Sequence, residues 1–350
     1  MPVNLKRVFY VEYLASRVFA DILGRRSDVL LEGLENGGPD EIADAVVGAA
    51  HAYQIGAARD EIDPKYYAGT HLLARAPQLV AVSSNGAGYD TIDLRACTQA
   101  GVLAVNQAGG NREAVAEHAL AMMLTLSKRI MEADRRMRRA SGIPRNDYMG
   151  HDLTGRVVGI VGLGNVGTRL AEICRVAFQM RVLAYDPYLT AEEIAARGAE
   201  ATPLPALLAA SDFVSINCPR AAETLGMIGA EQFALMQPHA YFITTARGGI
   251  HDEQALAAAL RGKRIAGAGL DVWEKEPPPH DDPLLAFDNV VASPHTAGVT
   301  AEARANMATI AAEQMLDILD GRRPPRILNP EVWPAYRARF ERIMGFAPAS

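Results

Sequence analysis

A chain of 350 residues exceeds the usual size of one domain, so two domains of ordinary size are expected. Hydrophobic residues make up 49% and charged residues 22%, the balance of a globular protein, which sets aside the disordered and fibrous classes. The formal net charge of −6 gives no basic footprint for nucleic acid or an anionic membrane, and the one dense basic run, Arg135, Arg136, Arg138 and Arg139, reads as the solvated face of a helix.

Short β-branched runs alternate with helix-like stretches through most of the chain, which predicts an α/β fold with parallel sheets covered by helices. The opening MPVNLKRVFYVEYLASRV mixes charges with apolar residues and has no signal-peptide core, and no run of about 18 apolar residues occurs anywhere. Cys97, Cys174 and Cys218 are too few and too scattered for a disulfide framework or a paired metal motif, so a cytoplasmic protein is expected. In the first third, strands are expected at 7–11, 46–49, 79–83 and 102–105, forming one small sheet domain. The stretch 111–131 has no Gly or Pro and reads as one long helix, too apolar for a free surface, that bridges two domains or packs on a partner subunit. After the turn-rich residues 141–155, a second series of strands is expected at 157–161, 182–185, 213–217, 241–244, 265–270 and 290–292. A last helix over about 301–319 is stopped by Gly321 and the RRPPR run, and the remaining 30 or so residues are too few for another independent domain.

The segment RVVGIVGLGNVGTRLAEIC carries Gly162, Gly164 and Gly167 in G-x-G-x-x-G spacing, directly after an apolar strand and directly before a helix. Gly162 permits the tight turn, Gly164 lets the backbone approach a pyrophosphate, and Gly167 lets the helix pack closely on the strand. The phosphates then meet a helix N-terminus, where free N–H groups and the dipole favour negative charge. The next strand ends in RVLAYDPY, placing Asp186 where its carboxylate would accept hydrogen bonds from the adenosine ribose. No Arg or Lys follows at once, since Pro187, Tyr188 and Leu189 come next, so NAD is expected over NADP.

Hydride transfer to a keto acid needs a cation for the carboxylate and carbonyl, a proton donor for the carbonyl oxygen, and a partner that tunes the donor. Arg247 lies just past a strand in a Gly-flanked loop, and its planar fork can grip a carboxylate in two bonds. Asp271 closes the next strand, with Glu276 in the loop beyond, and His295 follows Pro294 after the strand after that. Arg247, Glu276 and His295 thus all fall past C-terminal strand ends of one expected sheet, where ligands of open α/β sheets bind.

These motifs resemble the D-isomer-specific 2-hydroxyacid dehydrogenases, a group that includes 3-phosphoglycerate, glycerate and D-lactate dehydrogenases and hydroxypyruvate and glyoxylate reductases. The resemblance rests on SSNGAGYDTIDL at 83–94, GGNREAVAEHAL at 109–120, VGIVGLGNVG at 158–167, TTARGGIHDEQAL at 244–256, AGAGLDVWEKEP at 266–277 and SPHTAG at 293–298, and covers almost the whole chain. It implies two Rossmann-like or flavodoxin-like domains with a cleft between them, the nucleotide domain (107–299) inserted into a discontinuous substrate domain (1–106 and 300–350). By the same resemblance His295 is the acid/base, Glu276 pairs with it and raises its pKa, and Arg247 holds the substrate carboxylate. The loop Asn85, Gly86, Ala87, Gly88 would bind that carboxylate through backbone N–H groups. Asp271 would meet the nicotinamide carboxamide and Thr245 and Ala246 line its ring, with Asn165, Val166, Cys218, Pro219 and Gly298 completing the cofactor wall. The 111–131 helix becomes part of the hinge and of a homodimer interface.

The chain departs from the family pattern at INCPRAAETLGMI, where Cys218 replaces a frequent His and Arg220 a frequent apolar residue, and at Gln107, Ala108, Gly109, Gly110, where Pro-Gly is common. Cys218 also reads simply as a small buried hydrophobe. Glu117 and His118 are adjacent on a helix and point about 100° apart, so they are taken as structural rather than as a second catalytic pair. His51, His71, His151, His239, His251 and His280 have no ligand-like spacing, and no metal is expected. The expected function is an NAD-dependent 2-keto acid reductase acting on a small acid such as hydroxypyruvate or glyoxylate. The alternatives are 3-phosphoglycerate dehydrogenase and a non-catalytic NAD-sensing corepressor-like protein, against which the intact Arg247, Glu276 and His295 argue.

Overall fold

The structure, a computed structural model, describes residues 5–349, and all strand pairs in its two sheets run parallel. The chain divides into two units, one formed by the described residues up to Asn111 together with those from Ala301, the other by Arg112–Thr300. Residues 107–110 stay with the first unit. Gln107 donates from its backbone N–H to Gly86 O at 3.0 Å and from its side chain to Ser83 Oγ at 3.1 Å, and Asn306 Nδ2 donates to Gly110 O at 2.7 Å. The chain leaves that unit at 111/112, where the family resemblance implied 106/107.

The first unit holds β1 (Lys6–Val11), β2 (Val29–Leu34), β3 (Ala52–Ile55), β4 (Ala81–Ser84) and β5 (Leu103–Val105), in the spatial order β2-β1-β3-β4-β5. Residues 46–49, read above as a strand, instead finish a helix, Asp40–Ala49. Asp40 and Glu41 sit in its first turn, favourable to the helix dipole, and Ala43 and Val47 bury one face at i, i+4 spacing. The strand is the next segment, β3, whose apolar run is broken in sequence by the buried Gln54. The edge strand β2 carries no continuous apolar run in sequence, because Glu32 and Gly33 interrupt it.

Both faces of this sheet are buried, as parallel sheets require. Phe9, Tyr53 and Val82 face one core. Val8, Ala52, Ala81 and Leu103 face the other, closed by Ala308, Met315 and Ile318 of the helix Ala301–Leu319 and by Tyr336 and Phe340 of the helix Trp333–Met344. The last 30 residues therefore complete this unit. Arg339 adds polar ties, donating to Leu79 O at 2.7 Å, Pro77 O at 2.9 Å and Ala100 O at 3.2 Å.

The second unit holds β6 (Val157–Val161), β7 (Arg181–Tyr185), β8 (Glu200–Ala201), β9 (Phe213–Ile216), β10 (Tyr241–Thr244), β11 (Gly267–Leu270) and β12 (Val290–Ala292). Their order, β12-β11-β10-β9-β6-β7-β8, is that of a doubly wound sheet whose direction of winding reverses between β6 and β9. The helix expected over 111–131 is two helices, Arg112–Ser127 and Ile130–Arg139, separated by Arg129 in the left-handed region at φ 54°. The apolar residues of the first pack inside this unit, Ala119, Met122 and Met123 sharing a core with Val158, Ile160 and Ile243. Nor is the second merely solvated: Arg135 donates to Asp288 O at 3.0 Å and Val290 O at 3.3 Å, tying it to the entrance of β12. Among the described residues, no helix is long and apolar enough to cross a membrane.

His251 sits in the core of this unit beside Phe242, 1% exposed, with no hydrogen-bond partner on either ring nitrogen. Burial pushes its pKa down from 6.5 to about 4. The unfolded chain therefore takes up a proton that the folded chain refuses as pH falls below 6.5, and the stability lost accumulates until about pH 4. Denaturant titrations between pH 7 and 4 are expected to show a loss of about 3 kcal/mol from this residue, largely abolished in His251→Leu.

Candidate active site

The strands β10, β11 and β12 are neighbours, and the loops leaving their C-terminal ends carry Arg247, Glu276 and His295 respectively. The loop after β12 is pinned by one carboxylate. Asp271, at the end of β11 and fully buried, accepts hydrogen bonds from Ser293 Oγ at 2.6 Å, Thr296 N–H at 2.8 Å and Ala297 N–H at 2.9 Å. Its carbonyl accepts the N–H of His295 at 2.7 Å. These bonds hold His295 at φ 56°, a left-handed conformation that a residue with a Cβ adopts at a cost of about 1–3 kcal/mol and keeps only when its surroundings over-determine it.

So held, His295 meets Glu276, with Nδ1 and Oε2 2.8 Å apart. The hydrogen bond to Glu276 raises the His295 pKa above its ordinary value, against the opposing effects of burial and of the Arg247 charge. Burial by itself disfavours the ionised Glu276, and the hydrogen bond and charge of His295, the Trp273 N–H and the Arg247 charge together overcome it, leaving the carboxyl below its ordinary value. The Trp273 N–H bonds Glu276 Oε1 at 3.0 Å, so both carboxylate oxygens are fixed. The pair thus favours imidazolium and carboxylate, Nδ1 donates to Glu276, and Nε2 is the ring atom that can present a proton. Arg247 donates to Ala246 O at 2.7 Å, and its charge acts on both members of the pair.

The glycine loop follows β6 at the reversal point of the sheet. Gly162 has φ 90°, and a Cβ there would lie 2.6 Å from the N of Cys218, so the loops after β6 and β9 touch. A Cβ on Gly167 would lie 2.2 Å from Gly162 O, which is the close helix approach anticipated from its position. A Cβ on Gly164 would meet nothing within 4 Å, and this residue begins the helix Asn165–Phe178 with no side-chain cap, leaving N–H groups for a ligand. Asn165 is exposed in the first turn, while Val166 packs into the core. Asp186 accepts from Leu163 N–H at 2.9 Å and Tyr188 N–H at 3.1 Å, so its carboxylate is oriented beside the glycine loop.

A sequence profile described as "D-isomer specific 2-hydroxyacid dehydrogenase, NAD binding domain" matches residues 120–297. The chain is 40% identical over 276 residues to a D-3-phosphoglycerate dehydrogenase of Archaeoglobus fulgidus, covering 79% of this chain and 51% of that one. It is 40% identical over 260 residues to a glyoxylate reductase of Korarchaeum cryptofilum, covering 73% and 78%. Among solved structures, that of a D-lactate dehydrogenase from Aquifex aeolicus, complexed with NAD and lactic acid, superimposes with a TM-score of 0.78 at 26% identity over 92% of this chain and 99% of that one. The chain belongs to the D-isomer specific 2-hydroxyacid dehydrogenase family. It spans about half the length of the first of these relatives.

A dinucleotide fits the residues this family member presents. Besides the uncapped helix and the open face of Gly164, three buried polar atoms have no partner: Asn217 Oδ1 after β9, Thr244 Oγ1 at the end of β10 and Thr245 Oγ1 beside it. Cys218 is half-buried, its thiol pushed by burial up to about 11, as suits a hydrophobic wall rather than a nucleophile. Pro219 O accepts from Thr224 Oγ1 at 2.8 Å, fixing the turn after β9. Ala246 and Gly298 are half-buried in the loops of Arg247 and His295. In the first unit, the loop Asn85–Gly88 is fixed from behind: Asn85 Oδ1 accepts from Gln54 at 2.8 Å, Gly86 O from Gln107 N–H at 3.0 Å, Ala87 O from Asn106 Nδ2 at 2.7 Å and Gly88 O from Ser84 Oγ at 2.5 Å.

Two residues have contacts that the sequence does not reveal. Arg197, 34 residues beyond Leu163, donates to Leu163 O and so brings a cation to the same glycine loop. His118, set aside as structural, reaches Ser293 Oγ at 2.9 Å and lies 3.7 Å from Asp271. Neither spacing carried a signal, because both contacts join distant segments. Among the described residues, no group of three His, Cys, Asp or Glu side chains is placed to hold a metal.

Gly167→Ala should force the Asn165–Phe178 helix away from β6. The expected result is a loss of about 1–3 kcal/mol in denaturant unfolding together with weakened NADH binding by fluorescence titration.

Proposed function

We propose that the protein is an NAD-dependent D-2-hydroxyacid dehydrogenase working chiefly as a reductase of a small 2-keto acid, with hydroxypyruvate and glyoxylate as the first candidates. The observation that supports it most is the His295–Glu276 hydrogen bond within reach of the Arg247 charge, at the ends of three adjacent strands of an NAD-binding domain. Bound NADH supplies the hydride. His295 Nε2 gives its proton to the keto oxygen, and the ionised Glu276 stabilises the imidazolium beforehand. Arg247 turns from Ala246 O to the substrate carboxylate and polarises the adjacent carbonyl. Gly86, Ala87 and Gly88, with their carbonyls engaged from behind, offer backbone N–H groups suited to a carboxylate oxygen, whereas the Asn85 N–H is already given to Ile55 O at 2.7 Å.

Asp186 is assigned to the adenosine ribose, Asp271, Thr245 and Ala246 to the nicotinamide, and Cys218, Pro219 and Gly298 to the wall around the cofactor. A cytoplasmic location and a homodimer belong to the same reading. Since the apolar residues of Arg112–Ser127 are used within their own unit, what this stretch offers a second copy is its continuation, where Ile130 and Met137 are exposed.

The reading is tested by NADH consumption against a panel of 2-keto acids, with a phosphorylated member included to separate the phosphoglycerate dehydrogenase activity named for one relative. His295→Ala should lower kcat by about 10²–10⁴-fold, the contribution of a positioned acid/base. Reduction that survives unchanged in this variant sinks the assignment. Because Glu276 raises the His295 pKa, the rate should hold at low pH and fall as pH rises through that pKa. In Glu276→Gln the fall moves to lower pH. Asp186→Ala should reduce kcat/KM for NADH by about 10–100-fold through the loss of charged hydrogen bonds, while NADPH gains relative to it, because Arg197 remains beside the glycine loop.

A further inference from the structure

Ser293 is a junction between the two loops that carry the acid/base pair. Its hydroxyl donates to Asp271 Oδ1 at 2.6 Å, joining the bonds that hold His295. Its carbonyl accepts the indole N–H of Trp273 at 3.0 Å, and the N–H of that buried tryptophan in turn fixes Glu276. A serine hydroxyl has one proton, and this one goes to a buried carboxylate that can only accept. The remaining contact of Ser293 Oγ, at 2.9 Å to His118 Nε2, therefore has the histidine as donor. Nε2 carries a proton in one neutral tautomer and in the imidazolium alike, so the bond needs only a donor at that position.

We infer that His118 is a positioning residue for the acid/base pair: by donating to Ser293 it fixes the hydroxyl on Asp271 and holds the loops of His295 and Glu276 in mutual register. The side chain comes from the helix Arg112–Ser127, outside the strand-end loops that carry the pair. Helix approach is made possible by β11, where a Cβ on Gly269 would lie 2.9 Å from Met122 Cβ. Without the donor, Ser293 Oγ is free to turn, the strain at His295 loses one of its restraints, and the Nδ1 to Oε2 geometry loosens. A misplacement of about 1 Å at a reacting centre costs on the order of 100-fold in rate.

The rate consequence rests on the reading of His295 as proton donor, whereas the geometric claim does not, and the test separates them. His118→Phe removes the donor, and His118→Gln keeps an N–H donor at nearly the position of Nε2. Ring-nitrogen NMR of histidine-labelled full-length protein, with the His295 signals assigned by their loss in His295→Asn, reports the titration of His295 without substrate. In His118→Phe the His295 ring signals should move and its pKa fall toward the ordinary histidine value, and His118→Gln should restore both. With keto acid and NADH, His118→Phe should lose about 10–100-fold in kcat with KM changed far less, and His118→Gln should recover most of it. His295 signals and titration unchanged in a folded His118→Phe, or a Gln variant as impaired as Phe, would overturn the inference. Absence of turnover in the wild type on every keto acid would instead sink the proposed function, with the NMR titration still deciding the role of His118.

Discussion

The site depends on one buried carboxylate. Asp271 is out of contact with solvent, and a charge so placed persists only when donors surround it. The donors it finds are the hydroxyl of Ser293 and the backbone of Thr296 and Ala297, which bracket His295. Satisfying the carboxylate and shaping the histidine loop are thus the same act. The left-handed conformation of His295 is unfavourable alone and is imposed by bonds that could not be released without stranding a buried charge.

The rest of the second unit serves that arrangement. Parallel pairing of β10, β11 and β12 brings three loop origins side by side, so side chains far apart in the chain approach without long excursions. The glycines of β11 let neighbouring segments come close: a Cβ at Gly267 would lie 2.5 Å from Asn289 O, and one at Gly269 would strike Met122. The cofactor fingerprint uses the same device at Gly162 and Gly167. In both places an absent side chain sets the distance between rigid elements, and the chemistry is placed by that distance.

How much of this could be read from the residues differed by the range of the interaction. The glycine fingerprint, Asp186 and the strand-end positions of Arg247, Glu276 and His295 were legible because each is a local pattern tied to a strand end. Strands β2 and β3 were not, because Glu32, Gly33 and Gln54 break their apolar runs, and Gln54 is polar for a tertiary reason: it braces Asn85 and Ser84 O from within the core. The segment 46–49 misled because Val46 and Val47 favour strands, while the acidic first turn and the i, i+4 burial of the whole helix outweigh that preference. The apolarity of 111–131 is legible in the sequence but lies against this unit's own sheet, and the bend at Arg129 left no mark there. Arg197 and His118 act across gaps of 34 and 175 residues, a separation at which spacing gives no signal.

The return of the chain to the first sheet bears on how the molecule is made. One face of that sheet, with Val8, Ala52, Ala81 and Leu103, is covered in part by Phe19 and Leu23 and for the rest by side chains that lie beyond residue 300. On a ribosome these residues emerge only after the whole of Arg112–Thr300, about ten to forty seconds later at ordinary rates of synthesis. During that interval the nascent first unit carries a half-covered apolar surface, whereas the second, continuous in sequence, has everything it needs to close its own core. The later-emerging unit is therefore the one equipped to finish first, and the waiting sheet is where a chaperone would find its substrate.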